Sequence, residues 1–201
     1  MNPLKLTIPP DVYSPQEDSE LLADAARKYG FGDFLDLGCG SGVVGISASK
    51  NPLVKKITFA DISKNALSCA KENALRNNVK NEVFIETDLF SKIKGKFDSI
   101  AFNPPYLPTS KQEKVKGLLN HAFDGGINGR KGLDKFLEKF ETHLKPGGVL
   151  LLLNSSRSAT GDLDGNSESK KVLEEKGFAV EAVFHRKFFF EELLVFKAVN
   201  Y

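Results

Sequence analysis

The sequence predicts an α/β three-layer sandwich, in which helices cover both faces of a seven-stranded, mostly parallel sheet. Short apolar segments that favour strands alternate with segments whose apolar residues recur at helical spacing, a pattern typical of parallel sheets. The segment GVLLLLN (148–154) is the most continuously apolar run, as expected for a central strand covered on both faces. The last two predicted strands lie close in sequence, so they are expected to pair as a hairpin and leave the last strand antiparallel.

The first half of the chain carries clear element signals. A helix is predicted to begin after Ser14, which can cap it, with Pro15 at its first position and Glu17 placed as in a capping box. Gly30 is predicted to end this helix. The next predicted elements are the strand DFLDL (33–37), a glycine-rich turn with a helix of small residues, the strand KKITFAD (55–61), the helix SKNALSCAKENALRNN (63–78), and the strands EVFIETD (82–88) and FDSIAF (97–102).

The second half begins with about thirty residues that lack clear periodicity, a length typical of a functional connection. Apolar residues then recur at helical spacing from Leu133 to Leu144, which predicts a helix that ends at Pro146-Gly147-Gly148. After GVLLLLN come a short helix around SKKVLEEKG (169–177) and the strands FAVEAVFHR (178–186) and ELLVFKAV (192–199). The aromatic run FHRKFFFEELLVF (184–196) is expected to be buried.

Length and composition indicate one globular domain, residues 1–201, with an N-terminal helical extension at about residues 14–30. Of the 201 residues, 41% are hydrophobic and 27% charged, and no apolar run approaches the roughly 20 residues that span a bilayer. The first residues lack the layout of a signal peptide, which predicts a cytoplasmic location. Two cysteines are too few for a disulfide framework, and neither lies at a metal-type spacing from a histidine, so no metal is expected. A net charge of +2 gives little support to a protein that grips long nucleic acid.

Three alternating glycines in DLGCGSG (36–42) predict a ligand-binding turn between a strand and a helix. Gly38, Gly40 and Gly42 lack side chains, so a ligand can approach the backbone closely. The third glycine comes one residue early for the dinucleotide fingerprint, which argues against NAD or FAD. Cys39, between two of these glycines, is interpreted as a small filler and not as a nucleophile.

Polar residues stand at or near the carboxyl ends of four predicted strands. They are Asp36, Asp61, Asp88 and Asn103. Because ligands of open parallel sheets bind beyond these ends, the four side chains are expected to line one crevice. Asp61 is placed to bind both hydroxyls of a ribose, whereas a turn-forming role explains Asp88 equally well.

The segment Asn103-Pro104-Pro105-Tyr106 predicts a rigid corner that can orient a planar nitrogen nucleophile. Two prolines hold the backbone extended, so the Asn103 side-chain oxygen and the Pro104 carbonyl can each accept one N–H of the target. Tyr106 can pack on the planar target group. A side-chain amide and the exocyclic amine of a nucleobase both satisfy this geometry.

Taken together, DLGCGSG, the strand ending in Asp61, Asp88-Leu89 and NPPY resemble the class I methyltransferases, Rossmann-like enzymes that use S-adenosylmethionine. The segments VYSPQEDSELL (12–22), FNPPYLP (102–108) and GGINGRKGLDKF (125–136) further resemble the archaeal and eukaryotic branch of the HemK family. That branch methylates the glutamine amide in the GGQ motif of class I translation release factors. The resemblance extends from about Val12 to the terminal strand and lacks the long N-terminal helical domain of bacterial members.

The resemblance implies roles for individual residues. Asp61 would bind the ribose, Asp88 and the Leu89 backbone would contact the adenine, and Gly38 would lie against the methionine portion. Asp36 would help place the methionine amino group, and Ser19 would help close that end of the site. The full implied set is Ser19, Asp36, Gly38, Gly40, Asp61, Asp88, Leu89 and Asn103 for the cofactor, with Asn103, Pro104, Pro105 and Tyr106 as the catalytic corner.

The resemblance also implies partners and leaves alternatives open. A class I release factor is the implied substrate, and a small zinc-binding activator docks beside the EVFIETD edge strand in eukaryotic relatives. Glu82 and Glu86 could instead deter unwanted strand pairing there. The chain could alternatively methylate DNA or RNA amines, act on a wider protein range including lysine, or bind the cofactor without activity. Arg130 and Lys131 are expected to form a solvated loop face, with phosphate binding as the other option.

Overall fold

A computed structural model describes residues 3–106, 126–160 and 164–200. The helices are α1 (Glu17–Tyr29), α2 (Val43–Ala48), α3 (Lys64–Arg76), α4 (Lys131–Leu137), a 3₁₀ turn (Phe140–His143) and α5 (Gly165–Glu175). The strands are β1 (Gly32–Leu37), β2 (Val54–Asp61), β3 (Glu82–Glu86), β4 (Phe97–Phe102), β5 (Leu144–Ser155), β6 (Ala179–Lys187) and β7 (Glu192–Val199).

The seven strands form one sheet in the order β3-β2-β1-β4-β5-β7-β6. Neighbouring pairs from β3 to β5 are parallel, whereas β7 runs antiparallel to both β5 and β6. The predicted fold class is therefore confirmed, including the antiparallel last strand and the edge position of β3. This order places the carboxyl ends of β1, β2 and β4 side by side, where a crevice can form.

Two apolar clusters cover the two faces of the sheet. Helices α1, α2 and α3 pack on one face, and α4, the 3₁₀ turn and α5 pack on the other. Strand β5 supplies both clusters, because Val149, Leu151 and Leu153 point to the first face and Leu150 and Leu152 to the second. This explains why its sequence is apolar without interruption.

The first helix begins later than predicted. Gln16 is its N-cap residue and makes no side-chain capping bond, so the predicted cap at Ser14 is wrong. The segment before the helix is extended, and the Tyr13 hydroxyl donates to Asp18 at 3.1 Å across the first turn. The end of the helix is as predicted, since the Gly30 N–H donates to the Ala26 carbonyl.

The helix predicted to end at Pro146 is also shorter than expected, because it covers only part of the range over which apolar residues recur at helical spacing. Helix α4 ends at Leu137, a 3₁₀ turn follows, and β5 already begins at Leu144. Phe140 and Leu144 are nevertheless buried in the same cluster as the helix residues. The pattern therefore reports one buried face correctly, but it cannot distinguish a continuous helix from a helix, a turn and a strand.

The aromatic run 184–196 is not buried throughout, contrary to expectation. Phe196 is buried and Phe184 half-buried, but Phe188, Phe189 and Phe190 lie exposed at the turn between β6 and β7. Strand pairing buries only side chains that face a helix layer, and a turn has no such cover. In the part of the chain that the structure describes, no helix combines the length and apolarity needed to cross a lipid bilayer.

Candidate active site

A cavity of about 710 Å³ lies at the carboxyl ends of β1, β2 and β4, beside the start of α1. Its volume is within the usual range for small-molecule and cofactor sites. The residues implied for the cofactor and the corner line this cavity: Ser19, Asp36, Gly38, Gly40, Asp61, Asp88, Leu89, Asn103, Pro104, Pro105 and Tyr106. Gly42, the third glycine of the predicted ligand-binding turn, does not line it and instead packs against Ala70 of α3.

Two carboxylates shape the glycine loop on the cavity wall. The Gly45 N–H donates to Asp36 Oδ2 at 2.8 Å, and the Gly40 N–H donates to Asp61 Oδ2 at 2.9 Å. Gly38 and Gly40 have φ angles of 65° and 52°, a backbone conformation that glycine adopts without strain. Each carboxylate retains free lone pairs toward a ligand, because an ionised carboxyl group can accept about four hydrogen bonds.

The Asp36 carboxyl group is almost fully buried, and this environment changes its acidity. Burial, together with the nearby charge of Asp61, raises its pKa to about 7, although the Gly45 N–H opposes the shift. Burial likewise raises the pKa of Asp61. A cationic ligand group at this wall would favour the ionised form of both carboxyl groups.

The other end of the cavity is formed by the turn after β3. Leu89 has a φ of 46°, which is uncommon for a residue with a side chain. The buried Thr87 hydroxyl holds this conformation by donating to the Leu89 carbonyl at 3.0 Å and accepting the Lys92 N–H. The Asp88 side chain is exposed and makes no hydrogen bond within the described ranges. Residues in uncommon backbone conformations cluster at functional sites.

The NPPY corner presents one buried acceptor without a partner. The Asn103 Nδ2 donates to Asp18 Oδ2 at 3.0 Å, while the Asn103 Oδ1 is buried and accepts no hydrogen bond from any described residue. Because a carboxylate can only accept, it fixes the amide with nitrogen toward Asp18 and oxygen away from it. A buried oxygen left unpaired costs roughly 1–3 kcal/mol, which a donor on a bound ligand would recover.

Asp18 is a site residue that sequence reasoning missed. Its buried carboxylate accepts hydrogen bonds from the Ser19 N–H and hydroxyl, the Tyr13 and Tyr106 hydroxyls and the Asn103 amide, at 2.6 to 3.4 Å. Within the segment VYSPQEDSELL, Asp18 reads as one of three acidic residues in the first turn of a helix. Only the fold shows that Asp18 faces the corner, whereas Glu17 and Glu20 face solvent.

Both tyrosines around Asp18 remain protonated. Burial, followed by the Asp18 charge, raises the pKa of Tyr13 and of Tyr106 well above its ordinary value. The phenols therefore act as hydrogen-bond donors and are unsuited to act as bases near neutral pH.

The segment that begins at residue 126 packs against the NPPY corner. A Cβ at Gly129 would lie 2.3 Å from the Tyr106 carbonyl oxygen, so only glycine fits there. Arg130, expected on a solvated loop face, is 1% exposed, so that expectation is wrong for this residue. Its guanidinium lies 2.9 Å from Asp134 and donates to the Ser169 hydroxyl and the Ser158 carbonyl, which ties the segment to α5. Lys131 is exposed and lines the cavity.

Cys39 lacks the environment of a reactive cysteine. Cys39 is buried, and burial raises the pKa of its thiol well above the ordinary value, which favours the filler role. Within residues 3–106, 126–160 and 164–200, no three His, Cys, Asp or Glu side chains are grouped closely enough to hold a metal ion.

Comparisons with known proteins show the family of the chain. Residues 4–181 match the family model described as the methyltransferase small domain. A Methanocaldococcus jannaschii protein named "Putative protein N5-glutamine methyltransferase" is 46% identical over 195 residues, which are 97% of this chain and 95% of that protein. Mus musculus methyltransferase HEMK2 is 36% identical over 153 residues, 71% of each chain.

A solved structure has a similar fold over almost the whole chain. The E. cuniculi Mtq2–Trm112 complex, described as responsible for methylation of the eRF1 translation termination factor, contains a chain with a TM-score of 0.71 and 25% identity. The match covers 95% of this chain and 99% of that one.

Proposed function

The chain belongs to the methyltransferase small domain family and, within it, to the HemK-type methyltransferases, and from this premise we propose its acceptor. It transfers a methyl group from S-adenosylmethionine to the side-chain amide nitrogen of a glutamine in a protein. The acceptor is the GGQ motif of a class I translation release factor. We also propose a cytoplasmic location for the enzyme, where it would meet such an acceptor.

The observation that carries this proposal is the unpaired, buried Oδ1 of Asn103. Asn103 lines the cavity, and Asp18 fixes the orientation of its side-chain amide. An N–H group of the acceptor would donate a hydrogen bond to this Oδ1. Since a primary amide has two N–H groups, the Pro104 carbonyl can accept the second.

The cavity walls fit S-adenosylmethionine, which when bound supplies a methyl group activated by its sulfonium charge. Asp61 would hold the ribose, Asp88 and Leu89 the adenine, and Gly38 and Gly40 would let the ligand approach the loop. Asp36 and Ser19 would hold the methionine end. The buried, negatively charged wall at Asp36 suits the cationic α-ammonium group.

The contribution of the corner is orientation. An amide nitrogen is a poor nucleophile because its lone pair is delocalised into the carbonyl group. If Asn103 and Pro104 each accept one N–H, the nitrogen is held with its lone pair directed out of that plane, and Tyr106 packs on the planar amide. Orientation of this kind lowers barriers by up to roughly 7–11 kcal/mol in the best intramolecular cases, so the chain needs no strong base. The proton can leave to water.

We propose that cofactor affinity depends on pH through Asp36. As pH falls through its raised pKa of about 7, Asp36 gains a proton and loses the charge that attracts the ammonium group. Affinity for S-adenosylhomocysteine, measured by calorimetry, is therefore expected to weaken up to about 10-fold between about pH 8 and about pH 6. The Asp36→Asn variant should bind S-adenosylhomocysteine weakly at both pH values. An unchanged pH profile in that variant would contradict the role of Asp36.

The β3 edge is the place we propose for a small activating partner. Among the described strands, β3 pairs with β2 alone. Val83 on β3 and Ile62 after β2 are exposed. The similar E. cuniculi chain is found in a complex with Trm112. Unpaired strand edges bind partner strands by backbone hydrogen bonding. A co-purified partner that raises activity and is lost on Val83→Lys would support this placement.

The test of the proposed function is methyl transfer to a class I release factor, with labelled S-adenosylmethionine and peptide mass analysis. Label on the GGQ glutamine, absent from a GGA target, is the expected result. Total RNA and DNA, incubated in parallel, test the nucleobase alternative. Label on nucleic acid with none on the release factor, with the activating partner present, would overturn the proposal.

A further inference from the structure

The turn between β6 and β7 exposes a group of three phenylalanines, Phe188, Phe189 and Phe190, called here the aromatic tip. Phe189 and Phe190 are 91% and 83% exposed, and their rings contact each other edge to face at 4.5 Å. The Phe188 N–H donates to the Glu191 carbonyl at 2.7 Å, which closes the turn. Adjacent exposed aromatic side chains are costly in water and commonly mark an interaction site.

The aromatic tip adjoins the acceptor end of the active site. Phe188 and Glu191 line a side pocket of about 160 Å³, whose other walls include Asp18 and Tyr106. Tyr106 and Glu191 also line the main cavity, so the two spaces share walls beside Asn103. A polypeptide that inserts a side chain at Asn103 has its flanking residues close to this pocket.

The charge of the side pocket indicates what kind of polypeptide fits. Its described walls contain three carboxyl groups, Glu17, Asp18 and Glu191, and no basic side chain. Asp18 already accepts hydrogen bonds from neighbouring groups, whereas Glu17 is exposed to solvent and can contact a bound polypeptide. Electrostatic complementarity favours a lysine or arginine near Glu17, and the aromatic tip favours an apolar neighbour.

We propose that the aromatic tip and the side pocket bind the acceptor protein itself, through a segment next to the methylated glutamine that carries apolar and basic side chains. This inference rests on the proposed function, because it takes the acceptor to be a polypeptide. The tip contacts the segment and not the reacting atoms, so it governs acceptor affinity and leaves the chemical step unchanged.

The test uses the double variant Phe189→Ser/Phe190→Ser and steady-state kinetics with the release factor. KM for the release factor is expected to rise about 10-fold or more, the range of a lost interface anchor, with kcat and S-adenosylhomocysteine affinity unchanged. Glu17→Gln is expected to weaken the dependence of KM on salt concentration. Leu75→Ser is the matched control, because Leu75 is 76% exposed in the last turn of α3 and lines neither pocket.

A KM in the double variant equal to that of wild type would overturn the inference. A wild-type dimer that the double variant dissociates would also overturn it, because a second copy would then cover the tip. If the wild type transfers no methyl group to the release factor, the proposed function fails, and direct binding of the release factor decides the inference separately. Weaker binding by the double variant would support it, and equal binding would contradict it.

Discussion

Asn103→Ala is expected to lower the rate of methyl transfer by about 1,000-fold or more, with the fold retained. The variant loses the buried acceptor that would orient the amide, and loss of one preorganised group in a water-excluded site costs roughly 100- to 1,000-fold. Misplacement of the acceptor adds to this loss. Single-turnover kinetics at saturating substrate measure the effect.

Asn103→Asp tests whether the Asn103 amide nitrogen is needed in addition to its acceptor oxygen. An ionised aspartate keeps an acceptor oxygen but cannot donate to Asp18, whose Oδ2 lies 3.0 Å from the native Nδ2. Two carboxyl groups at that distance cannot both ionise readily, so the aspartate variant should also be impaired. Turnover within about 10-fold of wild type in the alanine variant would contradict the role of Asn103 in orienting the amide.

Asp18→Asn is expected to lower kcat by about 100-fold, the second largest effect. An asparagine amide can present either its oxygen or its nitrogen to Asn103, so the orientation of the Asn103 side chain is no longer fixed. The Tyr13 and Tyr106 hydroxyls also lose a charged acceptor. We expect the loss chiefly in kcat, since Asp18 acts by positioning Asn103, and a small loss of cofactor affinity through its neighbour Ser19.

Asp24→Asn is the matched control for Asp18. Asp24 lies on the same helix, is exposed, and pairs with Arg27 at 2.8 Å on the surface. Exposed pairs of this kind contribute about 0–1 kcal/mol, so activity should not change. If Asp18→Asn kept wild-type kcat, the fixed orientation of Asn103 would not matter for transfer.

The sequence predicted the cavity well because its residues follow strand ends. Asp36 is the penultimate residue of β1, Asp61 ends β2 and Asn103 follows β4. The order of those strands forces their carboxyl ends together. The glycine loop and NPPY carry backbone constraints that a pattern can show directly. The fold class follows from the same alternation of strands and helices.

Positions whose role depends on tertiary contacts were the ones misjudged. Asp18 and Arg130 lie in polar segments and read as surface residues, yet both are buried by partners distant in sequence. Phe189 and Phe190 read as core residues but lie on a turn without a covering layer. Local composition predicts average burial, and it cannot identify a carboxylate that binds a side chain 85 residues away.

The central claim is that the Oδ1 of Asn103 binds the acceptor amide. The most direct test is a crystal structure of the enzyme with S-adenosylhomocysteine and a glutamine-bearing GGQ segment of the release factor. We predict a hydrogen bond from the glutamine side-chain nitrogen to Asn103 Oδ1, at about 2.7–3.2 Å. A bound glutamine whose nitrogen lies beyond hydrogen-bond distance of Asn103, in an otherwise productive complex, would contradict it.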